Sequence, residues 1–311
     1  HCDWLSSVTG LFGQKGKGMN PDIASDTESG EHIQIEREIV LEVGRAPEPQ
    51  AIAQTKDGGY VVAGTVWVPW ATRIDARGNV LWRYELPPAD STSPKKMRGQ
   101  YHGVAVLPDD SAILCGEMEM PAPPGKPSGG VAGILTHIDK AGNVLNHQVI
   151  YPNGDKNFVV SRLLISLPWG DGVAVLGGAM RHTYQASDGH FESEDSIWVL
   201  ALNSKGEVAW EKTLPNRMGG NSVVLSSQDL LLVAGEKFEN EQGIGRFLLF
   251  DKNGNLKSQS PLQQIRGFMR TTVAGSLAYQ IFNTYGHPIT IKTVNEKGDD
   301  VGTVQGPVGW F

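Results

Sequence analysis

The chain has 311 residues, 40% hydrophobic and 20% charged, with a formal net charge of −7 at pH 7. That balance excludes a disordered chain, and the acidic surface disfavours nucleic-acid binding through a basic face. No run of about eighteen apolar residues is present, so no transmembrane helix is expected, and the 38 Gly and 18 Pro point to many short strands joined by turns.

Residues 1–30 are rich in Gly, Ser, Asp and Lys and read as a flexible tether. Residues 31–311 read as a single domain. Cys2 sits where a bacterial envelope lipoprotein carries its lipid-modified cysteine; an ordinary N-terminal thiol is the other reading. The lipoprotein reading puts the domain in the periplasm, with a membrane contact only through the lipid on Cys2. Ile33–Val43 reads as an extra outer strand ahead of the first full repeat. Cys115 lies inside an apolar strand and is expected to be a small buried side chain.

From residue 50 onward two motifs alternate. One is a short polar turn, an apolar β-prone run and usually a closing Gly: Asp57–Gly64, Asp110–Gly116, Asp171–Gly177, Gln228–Gly235, and Gly275–Ile281, which lacks that Gly. The other is a five-residue turn, Asp or Asn, two variable residues, Gly, then Asn, Glu or Asp. Its copies are Asp75–Asn79, Asp139–Asn143, Asn203–Glu207, Asp251–Asn255 and Asn295–Asp299. Gly, Asp and Asn supply the positive dihedrals of tight hairpins. Each unit therefore reads as strand A, tight turn, strand B, variable loop, strand C, tight turn, strand D. In the first unit the strands fall at 51–55, 60–66, 70–74 and 80–86. Strand D carries a large apolar residue, Trp82, Leu145 or Trp210.

Such a repeat predicts an all-β protein, a β-propeller of four-stranded antiparallel blades. Five blades are expected, with a sixth assembled from both termini as the alternative. A β-solenoid is disfavoured, because its repeats are shorter and lack paired hairpin turns. The runs Asp57-Gly58-Gly59-Tyr60-Val61-Val62-Ala63-Gly64 and Gly78-Asn79-Val80-Leu81-Trp82 resemble bacterial propeller repeats of the quinoprotein-like kind, over most of residues 50–300. The resemblance implies blade structure and carries no chemistry. Some such relatives are envelope assembly factors and others quinone-dependent dehydrogenases. The cofactor ligands that the dehydrogenases need are not found here, so no cofactor is expected.

In an antiparallel meander the A–B and C–D turns share one end, and the B–C and D–A loops share the other. The first set is short and stereotyped. The second is long: 87–101, 118–132, 180–195 and 237–246. Long loops on a rigid scaffold commonly serve recognition. The partner-binding residues expected there are Arg181, His182, Tyr184, Asp188, His190, Phe191, Glu192 and Glu194 in the third loop. Trp67, Trp70, Met118 and Met120 join them, the last two beside a Pro-rich flap over 121–127. Both Trp have core packing as the other reading. His182 and His190 are eight apart with no helical frame, so no metal site is expected.

No nucleophile elbow, phosphate loop or His-Glu-x-x-His is present, and no catalytic residue is assigned. Glu117 and Glu119, two apart at a strand end, are the one acid pair of glycosidase kind, and nothing nearby marks a sugar site. The expectation is a non-catalytic envelope module, monomeric when alone, that grips a protein partner with its long-loop end. One version is an immunity protein plugging the active site of a secreted antibacterial effector. The alternative is an envelope enzyme acting on glycans or using a quinone cofactor.

Overall fold

In the computed structural model Asp75 organises its turn from both carboxylate oxygens. Oδ1 accepts the N–H groups of Arg77 and Asn79, and Oδ2 accepts the Asn79 side-chain amide, all at 2.8 Å. The Asp75 N–H donates to the Asn79 carbonyl at 2.9 Å and the Gly78 N–H to the Asp75 carbonyl at 3.0 Å. Gly78 sits at φ 91°. This is a type I turn closed by a glycine bulge, which only a residue tolerant of positive φ completes cheaply. Asp139 and Asp251 repeat the bonding with Asn143 and Asn255. At Asn203 the polarity reverses: its side-chain amide donates to Glu207 Oε2 at 2.8 Å while its Oδ1 keeps the two backbone bonds. The donor–acceptor couple is preserved and only the position of the charge changes.

The structure describes residues 48–65, 68–87, 98–121, 130–184, 191–215, 218–225, 231–239, 242–259, 263–264, 269–271, 277–281, 290–294 and 300–305. The chain divides into His1–Pro47 and Glu48–Phe311, and all described residues lie in the second unit. The tether, Cys2, the expected strand Ile33–Val43 and the fifth turn, 295–299, lie outside them.

Five successive antiparallel meanders follow one another. The first is β1 (Glu48–Gln54), β2 (Tyr60–Thr65), β3 (Pro69–Ile74) and β4 (Val80–Glu85). The second is β5 (Gly99–Val106), β6 (Ala112–Glu119), β7 (Val131–Ile138) and β8 (Val144–Ile150). The third is β9 (Phe158–Trp169), β10 (Gly172–Tyr184), β11 (Phe191–Leu202) and β12 (Val208–Pro215). The fourth is β13 (Met218–Leu225), β14 (Leu231–Glu239), β15 (Gln242–Phe250) and β16 (Leu256–Gln259), with β17 (Gln263–Gln264) also on β15. The fifth is β18 (Met269–Thr271), β19 (Leu277–Ile281), β20 (Thr290–Val294) and β21 (Asp300–Gln305). A parallel bridge, Val131↔Val160, joins the second and third into one eight-stranded sheet. No strand pairing among the described residues links the first meander to the last. Among those residues the helical content is one 3-10 turn, Pro152–Gly154. The architecture is therefore all-β with four-stranded antiparallel units, as the repeat predicts.

The closing Gly of strand B has a steric origin. Strand A bulges opposite it, at Pro49/Ala51 in β1 and Tyr101/Gly103 in β5. The bulge drives a carbonyl toward the glycine: a Cβ on Gly64 would stand 2.0 Å from Glu48 O, on Gly116 1.9 Å from Gln100 O, and on Gly177 2.1 Å from Arg162 O. The first strand of each unit packs against its predecessor, β5 on β1–β3 and β9 on β5–β7. Strands B and C are sandwiched, and in β2, β6 and β7 nearly every residue is buried. Each fully buried Leu, Ile or Val there contributes about 1.5–3 kcal/mol. The fourth strands β4, β8 and β16 are largely exposed.

Neighbouring units are latched at the tight-turn end. Trp82 Nε1–H donates to Lys140 O at 3.3 Å and its ring lies under Gly142; Trp210 Nε1–H donates to Lys252 O at 2.9 Å and its ring lies under Gly254. Trp210 also meets Trp169 edge-on, centroids 6.0 Å apart. Leu145, the large apolar residue of strand D in the second meander, does not play this part: it is 56% exposed. One residue too early on β8 to turn inward, it is replaced by His137, whose Nδ1 lies 3.2 Å from Lys205 O and whose ring lies under Gly206.

Arg73 is the strongest of these latches. It is fully buried, its NH2 group 2.8 Å from Asp57 Oδ2 and 3.6 Å from Asp110 Oδ2. Its NH1 group donates to the Asp110 carbonyl at 3.1 Å and the Lys140 carbonyl at 3.3 Å. One guanidinium fork thus ties the first unit's A–B turn to both tight turns of the second.

Candidate functional site

The end opposite the latches carries the B–C and D–A connections, and there the long loops are partly strand. Residues 180–184 and 191–195, expected as loop, belong to β10 and β11. These pair through twelve register positions out to Tyr184↔Phe191. β9 leaves the ribbon at Arg181↔Phe158 and β12 at Ser196↔Pro215. Beyond that, His182↔Ser193, Thr183↔Glu192 and Tyr184↔Phe191 form a two-stranded ribbon carried past the sheet. The same correction applies to 99–101, 118–119, 131–132, 237–239 and 242–246, which are strand. The run 180–195 holds one β-branched residue, Thr183, among many polar ones, so no period-two apolar pattern marks it as strand.

The base of the ribbon is braced. Arg181 pairs with Asp155 and stacks over the Phe158 ring at 5.0 Å. Asp155 stands just after the 3-10 turn, and its Oδ1 accepts the Asn157 N–H at 2.9 Å. Asn153 at φ 52° donates from its amide to Thr213 Oγ1 at 3.2 Å, tying this connection to β12. The run Asn153-Gly154-Asp155-Lys156-Asn157 advertises a turn in sequence; its role as a brace depends on a partner, Arg181, that lies far along the chain.

A second polar group joins β5, β6 and β9. Glu117 on β6 accepts the Gln100 amide at 2.9 Å, lies 3.6 Å from His102 Nε2, and pairs with Arg162 Nε of β9 at 2.7 Å. Burial alone raises the Glu117 pKa, but the His102 imidazole, the Gln100 amide and the Arg162 charge outweigh it and hold the carboxyl below its usual range. Polar residues at alternate positions of an otherwise apolar strand, Gln100 and His102, are the sequence sign of this cluster. Glu119 is exposed on the same strand.

Of the expected anchors, Trp70 and Met118 are corrected. Trp70 is 3% exposed within β3, and Met118 is 4% exposed in a core with Tyr101, Leu114 and Ile134. Met120 is half-buried against that core. Strands B and C are covered on both faces nearly to their ends, so apolar residues there pack inward. Arg181 is committed to its brace. The backbones of His182, Tyr184, Phe191, Glu192 and Glu194 lie in the ribbon. Trp67, Asp188 and His190, with the flap over 122–127, lie outside the described residues. Cys115 is a free thiol in the core, and burial pushes its pKa up to about 12.

No family model and no curated protein matches the chain. Among solved structures it is similar to a protein of unknown function from Bacteroides caccae, at 14% identity over 79% of this chain and 72% of the other, with a TM-score of 0.42. An ACO/RPE65 chimera follows at 12% identity, 86% and 64% coverage and a TM-score of 0.48. A Bombyx mori GH32 β-fructofuranosidase in complex with sucrose stands at 10% identity, 83% and 58% coverage and a TM-score of 0.35. The chain spans less than two thirds of the length of the last two. Scores and identities this low carry no inference about activity.

Proposed function

We propose that the five meanders are the blades of a five-bladed β-propeller, and that the chain is a non-catalytic module binding a protein partner through its long-connection end. The observation that supports this reading is the β10–β11 ribbon, carried past the strands on either side and braced at its base by Arg181, Asp155 and Phe158. A rigid ribbon projecting from a latched scaffold loses little entropy on binding. With Cys2 as a lipid site the module works in the bacterial periplasm, and one form of it is an immunity protein that blocks a secreted antibacterial effector. In the enzyme alternative Glu117 does not suit the general acid of a glycosidase, which needs a raised carboxyl pKa, because its own is lowered.

The test is capture from envelope extract with the wild type and with a variant whose residues 182–193 are replaced by Asn-Gly. A partner held by the wild type and lost by the variant, at unchanged melting temperature, is the expected result. Equal recovery of every bound protein by both would remove the ribbon from the function.

A further inference from the structure

The outer strands carry a second kind of information in their open edges. An exposed edge strand offers unpaired N–H and C=O groups to any other strand, and proteins blunt this with charge or Pro. Four of the five outer strands do so: β4 has Arg83 and Glu85, β12 has Glu211, Lys212 and Pro215, β16 has Lys257 and β21 has Asp300. The strand β8 has none of these. Its residues are Val144-Leu145-Asn146-His147-Gln148-Val149-Ile150, without a charge-bearing carboxylate, Lys, Arg or Pro. Among the described residues it pairs only with β7. Val144, Leu145 and Val149 are 44%, 56% and 38% exposed.

Read in both directions about His147, this strand nearly mirrors itself. Val144 stands opposite Ile150, Leu145 opposite Val149, Asn146 opposite Gln148, and His147 opposite itself. We propose that β8 is the edge at which two copies of this chain pair, antiparallel across a two-fold axis through His147, in place of the monomer expected from the sequence. In that register apolar side chains meet apolar ones and amides meet amides on either side of the central His147 pair. Both faces of β8 are matched at once, because directly opposed residues in an antiparallel ladder share a face. On β4, reversal sets Val80 against Glu85 and Leu81 against Tyr84; β21 and β12 match in part, Val301 with Val304 and Glu211 with Lys212, but both carry the edge charges that β8 lacks. A two-fold contact is isologous, so a strand must complement its own reverse. The interface of two seven-residue strands is smaller than the ~1,600 Å² of a stable complex, so association is read at about 1–100 µM protein.

The test uses the whole chain in sedimentation velocity across that range. The wild type is expected to reach twice the 33.6 kDa chain mass. Val149→Lys, at an exposed position that enters the interface twice, should stay monomeric with an unchanged melt. Leu81→Lys, at a more exposed apolar position on β4, should dimerise like the wild type. In a Cys2→Ser background, His147→Cys should form an intermolecular disulfide faster than Leu81→Cys, since opposed Cα atoms about 4.5–5.5 Å apart are within disulfide reach. A monomeric wild type, a Val149→Lys dimer, or equal crosslinking at the two cysteines would each overturn the proposal.

Discussion

Replacing Arg73 by Met removes the cation that ties the first two units together while keeping an unbranched side chain of similar reach. The wild-type guanidinium is fully buried and holds two carboxylates and two carbonyls. Removing one partner of a buried ion pair costs about 3–5 kcal/mol, because the other charge is left uncompensated. Two features set the lower end here. The Asp57 side chain is 39% exposed, and Lys140 Nζ lies 3.6 Å from Asp110 Oδ2 and remains to face it. A loss of about 3 kcal/mol corresponds to a fall in melting temperature of about 6–12 °C for a domain of this size. Asp57 adds a pH signature. The Thr55 hydroxyl, the Gly59 N–H and Arg73 together override burial and lower its pKa from 3.8 to about 2. A carboxyl depressed in the folded state stabilises fully above its unfolded pKa, and that contribution is lost as pH falls from 3.8 through about 2. The Thr55 and Gly59 bonds remain in the Arg73→Met protein, so it should lose only slightly less stability between pH 5 and pH 2 than the wild type. Thermal melts by circular dichroism at the two pH values measure both effects. A pH 7 melt within a degree or two of the wild type would refute the latch.

Adjacent glycines give an internally controlled steric test. A Cβ at Gly177 would stand 2.1 Å from the Arg162 carbonyl, whereas at Gly178 the nearest atom is 4.0 Å away. Gly177→Ala should cost about 3 kcal/mol in urea unfolding, and Gly178→Ala should be neutral or stabilising by up to about 1 kcal/mol. In the second unit's turn, Asp139→Asn should destabilise by leaving two amides facing each other, and adding Asn143→Glu should restore the melt by recreating the Asn203–Glu207 arrangement. Cys115, with its thiol pushed up to about 12 by burial, should resist alkylation at pH 8 in the folded protein of a Cys2→Ser variant and react once urea unfolds it.

The parts of the fold legible in the sequence are those decided within a few residues of chain. The Asp75–Asn79 turn is written in its own side chains, since both bonding partners lie four residues apart and Gly78 must take positive φ. The closing glycines are also visible, although their reason, a carbonyl from the bulged neighbouring strand, is not local. What sequence concealed lies between units. Trp70 and Trp82 look alike on the page; one is buried within its own sheet and the other becomes a latch because Lys140 arrives from the next unit. Arg181 looks like a free anchor until Asp155, from the preceding connection, claims it. Charged and aromatic residues near a loop therefore overstate the available surface, because bracing a projecting ribbon draws on the same chemistry as binding a partner. The self-matching of β8 escapes notice for the opposite reason. A neutral, mildly apolar strand looks like core until the sheet order leaves it on the outside, and only then does the absence of charge become a property of the surface.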